Sequence, residues 1–448
     1  MDNLLAARGQ MAMSLAFHII FSAIGIGLPL LMVIAEGLWL RGGQPVYLTL
    51  ARVWSKGAGI LFAVGAVSGT VLSFELGLLW PGFMRFAGGI IGMPFSLEGF
   101  AFFTEGIFLG IYLYGWDKVS RRAHFLSGVV VAVAGAISGL FIVTANAWMN
   151  HPAGFDIVNG QVVNVDPIAA MFNPGWFSEV LHMSLAAYLA TAAAVAAIHA
   201  LGLLRDRDNL FHRRALAIAL AVMAPAAVLQ PISGDLNARL AAQTQPAKLA
   251  AFEGQFQTQK GAPLTILGIP DPVAGVTRYG IEIPYGLSIL AFHDPNATVT
   301  GLLDFPRDQW PPTQIVHPAF DIMVGAGMAL MGASLLALFL AWRQRRLADN
   351  KWLLWLLVLC GPLGFVAIEA GWVVTEVGRQ PWIIYNVLRT ADAVTPVPGV
   401  AVPFVIFTLL YLALAALVAW LLWRQFRDSP IIPAPKAPVE PEPGHAAA

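Results

Sequence analysis

Nine stretches of the chain are apolar for long enough to cross a bilayer: 11–38, 51–78, 93–116, 124–148, 177–203, 214–233, 317–342, 352–376 and 402–424. A hydrocarbon core needs roughly 20 residues of helix, so several of these can tilt or protrude. Their Gly and Ala content suits close packing in a bundle. The pattern predicts an all-α integral membrane protein: six helices within 1–233, a long polar connection at 234–316, and three helices within 317–427. The connection is too polar to span, yet its Phe, Ile, Pro and Tyr content predicts an ordered, partly buried loop. Residues 428–448 are Pro- and Ala-rich without periodicity and are expected to be a disordered tail.

Composition agrees with this picture. The chain is 58% hydrophobic and 12% charged, with a mean hydropathy of +0.70. A net charge of zero gives no electrostatic reason to bind nucleic acid. Cys360 is the only cysteine, which excludes a disulfide framework or a multi-cysteine cluster. No cleavable signal pattern is expected, since the first apolar run is long enough to span.

Charge predicts the orientation. Arg41, the Lys118/Arg121/Arg122 group, the Arg205/Arg207/Arg213/Arg214 group, the Arg343/Arg345/Arg346/Lys351 group and Arg424/Arg427/Lys436 follow the odd-numbered segments. The connection 149–175 carries no Lys or Arg, and 79–92 carries only Arg85. By the positive-inside rule the N-terminus lies outside and the C-terminus inside, in the cytoplasm. The long connection is then extracytoplasmic.

Ionisable and soft side chains inside the spans mark candidate chemistry. His18, His182 and Met323 each lie about two turns into a segment that starts outside, and Glu376 ends a segment on that side. All four are expected in the outer half of the bilayer. A His/Met pair holds a six-coordinate, electron-transferring haem, whereas a lone His or carboxylate leaves a position open for oxygen. The plain alternative is helix packing. His317 is a weaker alternative ligand, and His124 and His199 read as residues of the membrane interface. Glu75 and Glu179 receive no role. A secondary transporter would also explain membrane carboxylates, but not the His/Met pair or the single long loop, and no internal repeat is evident.

Residues 375–382 read Thr-Glu-Val-Gly-Arg-Gln-Pro-Trp. With Arg8-Gly9-Gln10 and Phe17-His18, Glu179 to Met183, Ile322 to Gly325, and Leu97-Glu98-Gly99 through Phe102-Phe103-Thr104-Glu105, this resembles subunit I of the cytochrome bd-type quinol oxidases over about residues 6–425. The compact loop after Gly268-Ile269-Pro270 is similar to the short-loop branch that includes the cyanide-insensitive oxidases.

The resemblance implies a terminal quinol oxidase of the bacterial cytoplasmic (inner) membrane. It implies His182 and Met323 on a low-spin haem b. His18 and Glu376 would hold a high-spin haem b and a haem d, or a further haem b in its place. Arg8 and Arg379 would meet haem propionates, with Trp372 one turn before Glu376. Lys248 and Glu253 would bind quinol in the outer loop, although spacing alone also allows a surface ion pair. Glu98 and Glu105 would be the last relays for protons drawn from the cytoplasm to reduce O2 to water. Partners implied are a second large membrane subunit, a small single-helix subunit, and lipid. A haem b electron-transfer subunit without oxygen reduction is the alternative. Two departures stand out: Asp321 replaces an expected arginine two residues before Met323, and Glu98 and Glu105 are seven residues apart where eight is often seen. Both spacings keep the carboxylates on one helix face.

Overall fold

A computed structural model of the chain describes residues 2–344, 347–428 and 430. Most of them are helical. In chain order the helices are α1 (Asn3–Gly42), α2 (Pro45–Leu79), α3 (Pro81–Tyr114), α4 (Arg121–Asn150), the short α5 (Pro167–Met171), α6 (Trp176–Arg205) and α7 (Leu210–Thr244). They continue with the short α8 (Pro246–Phe252) and α9 (Gly286–Phe292), α10 (Thr313–Gln344), α11 (Lys351–Cys360), α12 (Leu363–Trp372), the short α13 (Thr390–Ala393) and α14 (Ala401–Arg427). Among the described residues nine helical spans are long and apolar enough to cross a membrane, with α11, α12 and a π-helical turn at Val373–Val377 forming one of them.

Local chemistry sets the boundaries. Pro45 and Pro81 open α2 and α3, a first-turn position where the missing N–H costs nothing. Ser120 and Asn209 cap α4 and α7 through their side-chain oxygens. Several helices exceed the apolar stretches that announced them. α1 starts at Asn3, α3 at Pro81 and α10 at Thr313, and α7 runs to Thr244. Hydropathy finds the part of a helix that suits hydrocarbon and not where its hydrogen bonds end. Beyond 233, α7 continues through polar turns that carry an Arg239–Asp235 ion pair at 2.6 Å. The expected loop boundaries of 234 and 316 therefore move inward, and Arg85 lies within α3. The expected tail lies outside the described residues from 431 onward, as do Arg345, Arg346 and Lys436.

α6 is the central helix, packed on α1, α4, α7, α11 and α12. The main core interleaves α1, α2, α6, α7 and α11 around Leu31, Met32, Leu50, Leu203, Phe211 and Met223. The long connection has a core of its own, in which Leu249, Phe252, Ala262, Leu287 and Val299 pack on Val316 and Ala319 of α10 and on Val374. Short antiparallel pairs brace it: 264–266 with 281–283, 269–271 with 276–278, and 259–260 with 298–299. The expected ordered, partly buried loop is what the fold contains.

Candidate functional site

Three candidate ligands share one packing device. His18 of α1 lies over Gly69 of α2, where an added Cβ would come within 2.9 Å of its Cε1. His182 of α6 lies over Gly234 of α7, at 3.4 Å by the same measure. The Met323 sulfur of α10 lies over Gly371 of α12, at 3.1 Å. The space left by glycine is required beneath His18 and tight beneath Met323, while beneath His182 a Cβ would make ordinary contact. Hydroxyls orient the two rings. His18 Nδ1 is 2.9 Å from Ser68 Oγ and its Nε2 is 2.8 Å from Ser22 Oγ. His182 Nδ1 is 2.9 Å from Ser233 Oγ, and Gln230 Nε2 lies 3.2 Å from its Nε2. Such outer partners set the tautomer and the aim of a ligating imidazole.

His18 is about four turns from the start of α1, because that helix begins eight residues before the apolar stretch. Distance from a helix end is therefore no measure of depth here. Side-chain contacts instead show what meets at the loop end of the bundle.

Glu376 sits in the π-helical turn that ends the α12 span. Its carboxylate accepts hydrogen bonds from Asn146 of α4 and from Arg379. Arg379 is 1% exposed. Among the described residues its Nε and Nη1, and Nε1 of Trp372, have no hydrogen-bond partner. Arg8 of α1 donates to Gln380 of the same string, which also accepts from Thr390. Buried donors left unpaired are costly. Those of Arg379 suit the propionates of a haem, so the side chains present fit that group: imidazole, thioether and carboxylate ligands, with cations beside them.

The polar system continues into the loop. Asn150 Nδ2 donates to Asn146 Oδ1 at 3.2 Å, and Lys248 Nζ of α8 donates to Asn150 Oδ1 at 3.0 Å. A continuous hydrogen-bonded chain thus joins Lys248 to Glu376 through two asparagines of α4. Beside it lies a cavity of about 190 Å³, lined by Lys248, Phe305, Arg379, Gln380, Trp382 and Tyr385 among others. Lys248 and Glu253 are both buried, so they are no surface ion pair. They also face different ways, Lys248 toward α4 and Glu253 toward Asp321 of α10. Burial pushes the Lys248 ammonium down to about 8, with Glu179 opposing the shift. Burial, reinforced by Asp321, pushes the Glu253 carboxyl up to about 8.

Glu98 and Glu105 share the face of α3 that meets α4. Glu98 accepts from Ser138 Oγ at 3.1 Å, and the buried Glu105 lies against Gly135. His317 has both ring nitrogens on backbone carbonyls. His124 and His199 are buried. His124 Nδ1 is 2.8 Å from Glu36 Oε1, and His199 Nδ1 is 2.9 Å from His212 Nδ1. Glu75 is buried and accepts from Gln10 and Ser14 at 2.9 Å. Glu179 lies 3.4 Å from His151. Sequence reasoning passed over Asn146, Asn150, Gln230 and Ser233. Their signal was polarity inside or at the edge of an apolar span.

A bundle of membrane helices that lays imidazole and thioether side chains over glycines, and closes one end with buried cations around a carboxylate, is that of a haem-carrying membrane protein. The family model "Cytochrome bd terminal oxidase subunit I" matches residues 6–430, and the chain belongs to that family. The solved bd oxidase from Geobacillus thermodenitrificans includes a chain 41% identical, with a TM-score of 0.91, covering 96% of this chain and 99% of that one. A Bacillus subtilis (strain 168) protein provisionally named cytochrome bd menaquinol oxidase subunit I is 38% identical over 96% of this chain and 98% of its own length. The cytochrome bd-II ubiquinol oxidase subunit 1 of Escherichia coli (strain K12) is 30% identical over 86% and 88%. The chain is a multi-pass membrane subunit of a terminal quinol oxidase, with haem as cofactor and quinol as substrate. The transporter reading falls away.

Proposed function

We propose that this subunit oxidises quinol at the loop end of the bundle and reduces O2 to water with protons drawn from the opposite end. The reading rests above all on the hydrogen-bonded chain from Lys248 through Asn150 and Asn146 to Glu376. It links a loop cavity with the carboxylate proposed as a haem ligand. His182 and Met323 are proposed to hold a low-spin haem b. His18 and Glu376 would hold the two remaining groups, a high-spin haem b and a haem d or a further haem b. Arg8 and Arg379 would face propionates. Bound haem supplies the one-electron chemistry that links quinol oxidation to O2 reduction.

The chain's own residues do the rest. The aromatic walls of the cavity suit a quinol ring, and Lys248 offers an N–H to one of its oxygens. Glu253, on the next turn of the loop and facing Asp321, would take up a quinol proton in its ionised form. Glu105 and Glu98 can each carry a proton along α3, with Ser138 beside the second. We place the loop outside and the basic helix ends in the cytoplasm, which the distribution of Arg and Lys supports. Protons for water then move from the cytoplasm toward the loop end through most of the dielectric, and each charge is worth about 2.3 kcal/mol per 100 mV. A proton gradient follows without a pump. We further propose a second large membrane subunit, a small single-helix subunit, and residence in the bacterial inner membrane.

The test is haem extraction with a reduced-minus-oxidised spectrum of the purified complex. Three haems per subunit I, one of them low-spin, is the expected result. A single low-spin haem would favour the electron-transfer reading.

A further inference from the structure

His317, in the first turns of α10, is fully buried. Its Nδ1 lies 2.8 Å from the carbonyl oxygen of Phe252, and its Nε2 lies 3.0 Å from that of Leu267. A carbonyl oxygen can only accept, and a neutral imidazole carries one N–H. In either neutral tautomer one nitrogen of this fully buried ring would turn its lone pair on a carbonyl oxygen, an unfavourable contact. The doubly protonated ring satisfies both. A counter-charge is at hand, since Asp321 Oδ2, one turn along α10, is 3.5 Å from Nε2. Glu253 approaches the same corner from the loop, whereas Lys248 points away to Asn150.

The loop is folded around this ring. Gly254 turns the chain with φ +66, and a Cβ there would come within 3.2 Å of His317 Cε1. Its carbonyl accepts from Thr277 at 2.7 Å, which brings the 269–278 hairpin onto the same spot. Leu267 also holds a positive φ of 60. His317 therefore ties the end of α8 and the turn before the hairpin to one helix of the bundle.

We propose that His317 is an imidazolium clamp that fixes the carbonyls of Phe252 and Leu267 on α10, and so is a positioning residue that sets where Glu253 stands for quinol oxidation. The clamp follows from the geometry, and its catalytic consequence rests on the quinol reading of the loop.

The test uses the purified complex labelled with 15N-histidine. At about pH 8, where an unperturbed histidine is neutral, one histidine should show both ring nitrogens protonated. That signal should vanish in His317→Gln or, if that variant does not accumulate, in His317→Lys. Trypsin cleavage at Lys260 and Arg278, both exposed in the loop, should be about tenfold faster in His317→Gln. His317→Lys should restore resistance in part. The quinol KM should rise about tenfold in His317→Gln while kcat changes little. A singly protonated His317 ring would overturn the clamp, as would unchanged cleavage. An imidazolium signal in the unaltered complex together with a normal KM in His317→Gln would overturn the positioning role. If Lys248→Ala also left KM normal, the fault would lie in the quinol reading of the loop.

Discussion

Two polar systems run through this bundle, and they are built differently. At the loop end, Lys248, Asn150, Asn146, Glu376 and Arg379 come from α8, α4 and the end of the α12 span and hold one another through hydrogen bonds. Along α3, Glu98 has Ser138, and Glu105 rests on a glycine that offers no side chain. α3 also shows large apolar residues outward, with Phe100, Phe103 and Ile107 each about two-thirds or more exposed. A cross-braced network holds groups still, as ligation and substrate orientation require. A carboxylate with few fixed partners can gain or lose a proton without breaking a braced network, as a relay requires. The contrast accords with our proposal of positioning at the loop end and proton delivery along α3.

The largest effect that would break the contrast lies on α3. Glu105→Gln keeps shape but cannot carry a proton, so O2 reduction should slow by about 100-fold or more. Glu98→Gln should do less, and haem content should hold in both. Normal turnover and normal charge separation in liposomes for both variants would remove the relay from α3.

A smaller effect is expected at the loop end. Lys248→Ala should raise quinol KM about tenfold, the cost of a buried charged hydrogen bond, with haem content unchanged. Asn150→Leu should do likewise, because it leaves Lys248 without its partner. A normal KM in Asn150→Leu would mean that the chain to Glu376 does not serve the substrate.

The smallest effect concerns Glu253 and pH. Its carboxyl is raised from 4.5 to about 8, so the folded loop binds more protons than the unfolded chain between those values. Stability should then fall as pH rises through that window, with the contribution fully present only below 4.5. Lys248, lowered from 10.5 to about 8, works oppositely, and its contribution should return as pH rises above 8. Thermal unfolding followed from about pH 5 to about pH 7.5 should show a decline that Glu253→Gln flattens. An equal decline in that variant would place the titrating group elsewhere.

Much of this was legible in the chain. Nine apolar stretches are the nine candidate spans among the described residues, because a membrane helix must be apolar along the length that meets lipid. The ends were not legible, as the polar turns of α7 past 233 show. Candidate ligands were legible because imidazole, thioether and carboxylate groups are conspicuous in hydrocarbon. Their partners were less so. Asn146 and Asn150 acquire meaning only once α4 is seen to end beside both Glu376 and Lys248. The two carbonyls that His317 meets come from a loop 50 and 65 residues away in sequence. Such tertiary contacts leave no spacing signal.

The central claim is that His182 and Met323, each lying over a glycine of a neighbouring helix, are the axial pair through which quinol electrons enter. The most direct measurement is the reduced-minus-oxidised spectrum of His182→Ala and Met323→Leu beside the unaltered protein. The account predicts that each variant loses the low-spin haem signal and quinol oxidation together, while O2 reduction driven by an artificial donor persists. A low-spin signal unchanged in both variants would contradict it.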